Sequence, residues 1–262
     1  MKNRQKQFDN TDLSIDQAYE SKLVHKDYIA HCHRWNFVIK YLERRTQEYD
    51  GDERYKHSNI LDVGCGKDMH LYKILCTNKM GQTSSYTGID INKLSLPEKF
   101  KNRKLPVYLI ESDLCSITLQ DLPTQPNIVT CFEVLEHVPF EYSKTMLTHM
   151  YNLSTQDASL IMSTPVYYEK YGMAKNHINE MTREQVINQL TAAGWHIHHN
   201  VGTFSTRQDL RSNLSDRHKQ LYDELSEYYC GHVMATIFAP LYPEYSRNNL
   251  WVCRKYPTER LL

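Results

Sequence analysis

The 262-residue chain is poor in glycine, with only nine, and it has no excess of charge, because 31 Lys and Arg are matched by 31 Asp and Glu. A zero formal net charge gives the protein no overall attraction to nucleic acid or to an anionic membrane, although a local basic face is compatible with it. No apolar run approaches the roughly 20 residues that cross a bilayer. The sequence therefore predicts no membrane span, and its charge does not indicate a nucleic-acid partner.

Regular cysteine spacing is also missing. The seven cysteines form no Cys-x-x-Cys pair, and most of them lie in apolar stretches. An odd number of cysteines without a regular framework is typical of reduced thiols. The first residues, MKNRQKQFDN, contain no apolar signal core. Together these absences predict a cytoplasmic protein.

Two of the few glycines stand one residue apart, as Gly64 and Gly66 in the stretch ILDVGCGKDMHLYKIL at 60–75. An apolar run of strand length precedes them and a helical pattern follows. A glycine turn between a strand and a helix lets a ligand approach the backbone closely. Such a short pattern also fits a tight turn without a ligand, so the turn alone does not identify a binding site.

Apolar runs of strand length alternate with helical patterns along the chain. Strands are predicted in NILDVG, SYTGIDI, PVYLIES, NIVTCFEV, ASLIMSTP, WHIHHNV and NNLWVCRK, and helices at 27–46 and in MHLYKILC, SKTMLTHMYNL and TREQVINQLTAAG. The last helix is expected to begin after Thr182 as N-cap and to end at Gly194. This alternation predicts an α/β fold with a doubly wound, mostly parallel sheet.

Acidic residues recur where successive predicted strands end. Asp62 stands at the end of the first strand, Asp90 ends the second and Asp113 follows the third. The carboxyl ends of parallel strands share one edge of the sheet, where ligands bind in open α/β folds. Each aspartate alone also fits a strand end that begins a turn. Three of them on one edge of the sheet indicate a ligand site more strongly than a single match does.

With these residues the sequence resembles the class I S-adenosylmethionine-dependent methyltransferases over about residues 58–201. The motifs that carry the resemblance are DVGCG at 62–66, GIDI with Asp90, ESDL with Asp113, CFEVLEHV at 131–138, STP at 163–165 and HINEMTREQVINQLTAAGW at 177–195. The resemblance implies a Rossmann-like seven-stranded, mostly parallel sheet with an antiparallel last strand. It also implies S-adenosylmethionine as the cofactor. The chain looks like a small accessory methyltransferase of the kind that phages carry.

The resemblance also implies which residues border the cofactor. Asp90 would hold the ribose hydroxyls and Asp113 the adenine amino group, while Arg34 could meet the cofactor carboxylate or an acidic substrate. The cofactor-binding residues predicted in this way are Arg34, Asp62, Gly64, Cys65, Gly66, Asp90, Ile91, Asp113, Leu114, Phe132 and Glu133. One departure is Asp68, which stands where the family has a small residue and is expected to cap the following helix. For Arg34 the alternative is a solvated side chain beside a core Trp35.

His137 and His177 are the candidate catalytic residues, because both follow strands at the edge where an acceptor would sit. A base is needed only if the acceptor must first lose a proton, and the function predicted is methyl transfer to O or N of a small-molecule or nucleotide-like acceptor. Either histidine also fits a capping or packing role, and no metal is predicted.

A metal-using alternative stays open. Small-RNA 3′-terminal ribose 2′-O-methyltransferases bind a divalent metal through a Glu-x-x-Glu-His pattern and a later histidine, and this chain has EVLEH at 133–137 and His177. Their usual second histidine is absent, since position 179 is Asn. A non-catalytic module that binds the cofactor or a partner is the other alternative.

The predicted division of the chain is a helical cap at 1–57 and a methyltransferase domain at 58–262. An insertion at about 203–246 separates the last two strands and is expected to hold one or two helices and a proline-rich turn. Because the connection leaves from the carboxyl edge, the insertion would cover the substrate side and act with the 27–46 helix as a lid. The insertion is rich in tyrosine, and Arg247 beside it offers one cation for an anionic group.

Overall fold

The computed structural model describes residues 26–48, 57–77, 83–96, 98–101 and 103–256. Most of the predicted cap at 1–57 lies outside these residues, as do the start of the chain and most of the charged connector before the first strand. The division into cap and domain therefore stays a prediction. No helix among the described residues is both long and apolar enough to cross a membrane.

Seven strands form one sheet, as predicted. The strands are β1 (Ser58–Val63), β2 (Thr83–Asp90), β3 (Val107–Glu111), β4 (Ile128–Phe132), β5 (Ser159–Pro165), β6 (His196–Phe204) and β7 (Asn248–Arg254). Their order is β3-β2-β1-β4-β5-β7-β6. The five strands β1 to β5 pair in parallel, while β7 runs antiparallel to both β5 and β6. The predicted Rossmann-like sheet with an antiparallel last strand is confirmed.

Seven helices accompany the sheet in the described part of the chain. They are α1 (Lys26–Glu48), α2 (His70–Thr77), α3 (Phe140–Leu153), α4 (Arg183–Ala192), α5 (Arg207–Asn213), α6 (Asp216–Leu225) and α7 (Gly231–Phe238). The start of α4 has the predicted cap, because the Thr182 side chain accepts from Gln185 N–H and the Gln185 side chain reaches back to Thr182 N–H. Gly194 follows the helix with φ +91°, as expected for a glycine stop.

The sheet is buried on both faces, and its side chains alternate between two apolar clusters. On β1, Leu61 and Val63 pack with α3 and α4, whereas Ile60 packs with α1 and α2. On β5, Leu160 packs on the first side and Ile161 on the second. This period of two explains why continuous apolar runs in the sequence become central strands. The helix α1 thus covers one face of the same sheet.

The insertion between β6 and β7 contains three helices, α5 to α7, which corrects the expected one or two. Its helices share a small apolar cluster of their own: Leu210, Leu214, Tyr222, Met234, Ala235 and Phe238. The segment that returns to β7 lies against Gly202 of β6. A Cβ at Gly202 would stand 2.0 Å from Ser246 Oγ and 2.3 Å from Ala239 O, so the insertion rests directly on strand backbone.

Replacing Gly202 by Ala is expected to lower the free energy of unfolding by about 1–3 kcal/mol, because the new methyl group overlaps the returning segment. Urea unfolding followed by far-UV circular dichroism measures the change. The double variant Gly202→Ala/Ser246→Gly should recover part of the loss, since it removes two of the three close atoms. A single variant as stable as the wild type would contradict the packing described above.

Candidate functional site

A glycine turn links β1 to α2 and is fastened to the end of β2. Gly64 and Gly66 have φ values of +67° and +64°. The N–H groups of Gly64 and Cys65 donate to Ile89 O at 2.8 and 3.2 Å, and Gly66 N–H donates to Asp90 Oδ2 at 2.9 Å. The turn and the second acidic strand end therefore form one rigid unit.

The two glycines have different reasons to lack a side chain. A Cβ at Gly64 would lie 2.3 Å from Val134 Cγ2 in the segment after β4, whereas a Cβ at Gly66 would meet no heavy atom within 4 Å. Gly64 thus permits close packing inside the protein. Gly66 faces open space at the carboxyl edge of the sheet, where a ligand can approach backbone N–H groups.

Asp90 and Asp113 lie beside this turn, at the ends of β2 and β3. Asp90 Oδ1 accepts from the backbone N–H and the side-chain amide of Asn92, at 2.8 and 2.9 Å. Asp113 Oδ1 accepts from Cys115 N–H at 2.8 Å and from the Tyr142 hydroxyl. Both carboxylates are held in place by their neighbours, which suits them to bind polar groups of a ligand.

The residues after these two aspartates differ in exposure. Ile91, predicted near the adenine, is 77% exposed, whereas Leu114, predicted beside the same ring, is buried. Their contacts with an adenine ring stay predictions.

The side chain of Asp62 lies within the sheet, and its predicted place at the border of the cofactor stays a prediction. Its carboxylate is buried in the sheet, where Oδ2 accepts from Tyr86 Oη and Oδ1 from Thr130 Oγ1, both at 2.6 Å. Burial raises the pKa of Asp62 to about 6, although the two hydrogen bonds oppose this rise. Asp62 therefore joins β1 to β2 and β4 beneath the turn.

Glu133, directly after β4, has a left-handed backbone with φ +56°. Its Oε1 accepts from Ser163 Oγ at 2.7 Å, and Asn248 Nδ2 donates to both carboxylate oxygens at 2.9 and 2.8 Å. Arg34 Nη1 lies 3.3 Å from Oε1. A non-glycine residue in this conformation persists only where its surroundings hold it, and such residues concentrate at functional sites.

Arg34 is buried, so the alternative of a solvated arginine is wrong, while Trp35 beside it is a core residue as that alternative assumed. Its Nε atom is buried without a hydrogen-bond partner. A buried donor without a partner calls for an explanation, and a guanidinium suits a carboxylate. The arrangement fits the predicted contact with the cofactor carboxylate.

His137 and His177 meet at the same edge, with their rings nearly perpendicular and the centroids 4.9 Å apart. His137 Nδ1 lies 3.2 Å from Asn176 O, and His177 Nδ1 lies 2.6 Å from Glu180 Oε1. Because a carboxylate only accepts, the hydrogen bond to Glu180 places a proton on Nδ1 of His177. In a neutral imidazole Nε2 is then the basic atom.

Glu180 is a site residue that the sequence reasoning missed. Its side chain is 3% exposed and also accepts from Ala174 N–H at 2.9 Å. Burial raises the pKa of Glu180, but the hydrogen bonds from His177 and Ala174 outweigh burial and leave the pKa below its usual value. The spacing of three between His177 and Glu180 in HINE was the signal that could have revealed the pair.

Glu136 lies below the two histidines and is fully buried. Burial raises its pKa well above the usual value, and the charge of Glu133 adds to this effect. Ligand atoms of Glu136, His137 and His177 all lie within 4.8 Å of one another, so they could hold a metal ion. Asn179, at the position where a second histidine would be expected, donates to Leu135 O at 3.1 Å.

The structure also shows the contacts or burial of three further residues named in the sequence analysis. Asp68 forms an ion pair with Lys73 at 3.6 Å, and the described residues show no capping hydrogen bond from it, so the predicted cap is wrong. Phe132 is half-buried at the end of β4. The Cys65 side chain packs towards Gly88 of β2.

A family model described as a methyltransferase domain matches residues 33–200 of the chain. Over 126 residues the chain is 28% identical to the mitochondrial ubiquinone biosynthesis O-methyltransferase of Schizosaccharomyces pombe, which covers 47% of this chain and 43% of that protein. Over 88 residues it is 38% identical to the ubiquinone biosynthesis O-methyltransferase of Nitrosomonas europaea, which covers 30% of this chain and 33% of that protein. The matches thus span less than half the length of either relative.

Solved structures share the fold at low sequence identity. Magnesium protoporphyrin IX methyltransferase from Synechocystis PCC 6803, with bound SAH, has a TM-score of 0.54 at 14% identity, covering 88% of this chain and 86% of its own. The [4+2]-cyclase SpnF has a TM-score of 0.52 at 15% identity, covering 84% and 81%. These likenesses show the fold alone, and the fold does not determine the reaction.

The two glycines of the turn allow a matched stability test. Gly66→Ala is expected to lower the free energy of unfolding by about 1–2 kcal/mol, the cost of a left-handed backbone with a Cβ. Gly64→Ala should cost about 1–3 kcal/mol more, because its Cβ also overlaps Val134. Urea unfolding measures both, and Val134→Ala should rescue only the Gly64 variant. Equal losses for the two glycines would contradict the assigned packing.

Asp62→Asn should change how stability depends on pH. The pKa of Asp62 is about 6 in the folded protein, against an ordinary value of 3.8, so the folded state holds the proton more tightly than the unfolded state between these values. The contribution of Asp62 is therefore present below pH 4 and lost as the pH rises through 6.

Relative to Asp62→Asn, the wild type is expected to lose about 2 kcal/mol of unfolding free energy between pH 4 and pH 7. Urea unfolding at several pH values measures the difference. Asp223→Asn, which changes a surface aspartate paired with Arg211, is the control and should show no such trend. A constant difference between wild type and Asp62→Asn would exclude the assigned shift.

Proposed function

This chain belongs to the methyltransferase domain family, and we propose on that basis that it transfers the methyl group of S-adenosylmethionine to a hydroxyl oxygen of a small-molecule acceptor. The observation that carries the proposal is the placement of the open glycine turn and the His177–Glu180 pair at one edge of the sheet. The first provides room for the cofactor, and the second provides a base for the acceptor.

The residues at the edge fit S-adenosylmethionine. Asp90 would accept from the ribose hydroxyls, Asp113 from the adenine amino group, and the Nε–H of Arg34 would meet the carboxylate. Gly66 would leave room for the cofactor to approach the turn. When bound, the cofactor supplies a methyl group on a positively charged sulfur, which is already activated for transfer.

The His177–Glu180 pair favours oxygen over nitrogen as the attacked atom. A hydroxyl group must lose its proton as it attacks, whereas an amine attacks through its lone pair. His177 Nε2 would take that proton, and the Glu180 carboxylate, 2.6 Å from Nδ1, would stabilise the resulting imidazolium. The names of both curated relatives contain O-methyltransferase, which supports the same choice over the matched segments.

A metal-assisted reaction on the 2′-hydroxyl of an RNA ribose is the second candidate. It is supported by the close approach of Glu136, His137 and His177. Two observations weigh against it. Asn179, at the position of the second expected histidine, donates to Leu135 O, and the formal net charge of zero gives no overall attraction to phosphates. A cytoplasmic location and a lid role for α1 and the insertion stay predictions.

Calorimetric titration with S-adenosylmethionine and with S-adenosylhomocysteine, each with and without Mg²⁺, tests the cofactor. Both are expected to bind with micromolar dissociation constants. Asp90→Ala should weaken both by about 1–3 kcal/mol, or roughly 5- to 150-fold, because the ribose loses its hydrogen-bond partner. Asp223→Asn, which changes an exposed aspartate of the insertion paired with Arg211, should bind like the wild type. Failure of both ligands to bind would reject the proposed function.

Variants of the loop that carries His177 and Glu180 distinguish the base mechanism from the metal-assisted reaction. With an acceptor found by a labelled-methyl screen over phenols and catechols, His177→Gln should lower kcat by about 10²–10⁴-fold and leave the affinity for S-adenosylhomocysteine unchanged. Glu180→Gln should lower kcat less, because the imidazolium loses its counter-charge while His177 keeps its basic nitrogen.

His137→Gln is the discriminating variant. Under the base mechanism it should have a small effect, and EDTA should not inhibit. Loss of activity in His137→Gln, together with inhibition by EDTA that Mg²⁺ reverses, would favour the metal-assisted reaction instead.

A further inference from the structure

Arg247 occupies the junction between the ends of β5 and β6, directly before β7. Its N–H donates to Phe204 O and its carbonyl accepts from Val166 N–H, both at 2.9 Å. Its guanidinium Cζ lies 4.1 Å from the ring centroid of Tyr171 and 5.6 Å from that of Tyr168. The backbone is thus fixed at the edge of the sheet, and the cation is held against aromatic rings.

The carboxylates near this guanidinium accept hydrogen bonds from other donors, and Oε2 of Glu180 is buried without a partner. Asp209 pairs with Lys170 Nζ at 3.2 Å and accepts from the Tyr171 hydroxyl, and Glu180 accepts from His177. Within the part of the chain that the structure describes, Arg247 has no ion-pair partner, and its Nε is buried without a hydrogen-bond acceptor. A guanidinium in this state has donors ready for an anion.

A second arginine lies near Tyr168. Arg183, at the start of α4, places Cζ 5.2 Å from the Trp251 ring and has a buried Nη1 without a partner. Burial raises the pKa of Tyr168; the charges of Asp209 and Glu244 add to that rise and those of Arg183 and Arg247 oppose it, so two cations and two carboxylates lie near the phenol. Asp209 is paired with Lys170, and among the described residues neither carboxylate forms an ion pair with either arginine.

The arginines also adjoin the proposed base. Tyr167 N–H donates to Met181 O at 2.9 Å, and Val166 forms a bridge with Met181, so the segment after β5 runs beside the loop that carries His177 and Glu180. The positive charge of Arg247 contributes to the lowered pKa of Glu180. In the same loop Ile178 is 60% exposed and offers an apolar surface.

We propose that Arg247, with Tyr168 and Tyr171, forms an acceptor subsite for a carboxylate or phosphate group, so that the methylated molecule is a small organic anion. The inference rests on the proposed function, which it deepens by naming the chemical class of the acceptor. The guanidinium would bind the anion with paired N–H donors, and the tyrosine rings would hold the guanidinium in place. The hydroxyl to be methylated would then lie towards His177.

To test this, the protein is first saturated with S-adenosylhomocysteine. It is then titrated separately with benzoate, phenyl phosphate and neutral benzyl alcohol, and binding is measured by calorimetry or ligand-observed NMR. At least one anion is expected to bind more tightly than benzyl alcohol, and the two anions distinguish a carboxylate site from a phosphate site. Arg247→Gln should weaken that anion at least tenfold and leave benzyl alcohol unchanged. Arg247→Lys should recover part of the affinity, because it keeps the charge but loses the planar fork.

Arg211→Gln is the matched control, because Arg211 is paired with Asp223 at 3.0 Å and belongs to the insertion surface. It should bind the anions like the wild type, and unchanged binding of S-adenosylhomocysteine to Arg247→Gln would show an intact fold. Anion binding that is absent, or equal in Arg247→Gln, would overturn the subsite and leave the proposed function standing. If S-adenosylhomocysteine does not bind the wild type, the proposed function fails, and the same titration without it still decides the subsite.

Discussion

The arrangement of the site depends on the contacts that three other residues make with the carboxylate of Glu133. Arg34 of α1 forms an ion pair with this carboxylate, and Ser163 of β5 and Asn248 of β7 donate hydrogen bonds to it. The backbone of Glu133, directly after β4, has a left-handed conformation. A helix far away in sequence and three strands are thereby fixed at one point of the carboxyl edge. A left-handed backbone at a non-glycine residue costs about 1–3 kcal/mol, and the contacts that converge on Glu133 hold it in that conformation.

The sequence predicted the sheet well, because central parallel strands are continuous apolar runs and the cap of α4 has a local signature in Thr182 and Gly194. It did not reveal the contacts that tertiary packing decides. Asp62 is a strand residue whose side-chain direction depends on Tyr86 and Thr130, which lie on other strands. The third helix of the insertion, GHVMATIF, begins with Gly and contains three β-branched residues, so only its packing against the insertion cluster explains it.

The candidate base and the candidate metal site share one feature, the hydrogen bond between His177 and Glu180. That bond fixes the proton on Nδ1, and either function then uses Nε2 of the same ring. A cyclase and a methyltransferase share this architecture, so the fold alone does not determine the reaction. In the proposed function, the reaction depends on the loop after β5 that carries His177 and Glu180, while the glycine turn and the strand ends would bind the cofactor.

The insertion leaves the sheet at Phe204 and returns at Arg247, and these two residues are joined by a hydrogen bond of 2.9 Å. Its helices form their own apolar cluster between these closely spaced ends. The two ends of the insertion are therefore fixed to each other, whatever lies between them. A segment of different length and sequence could start and end at the same two residues, provided that it leaves the same room beside Gly202 of β6.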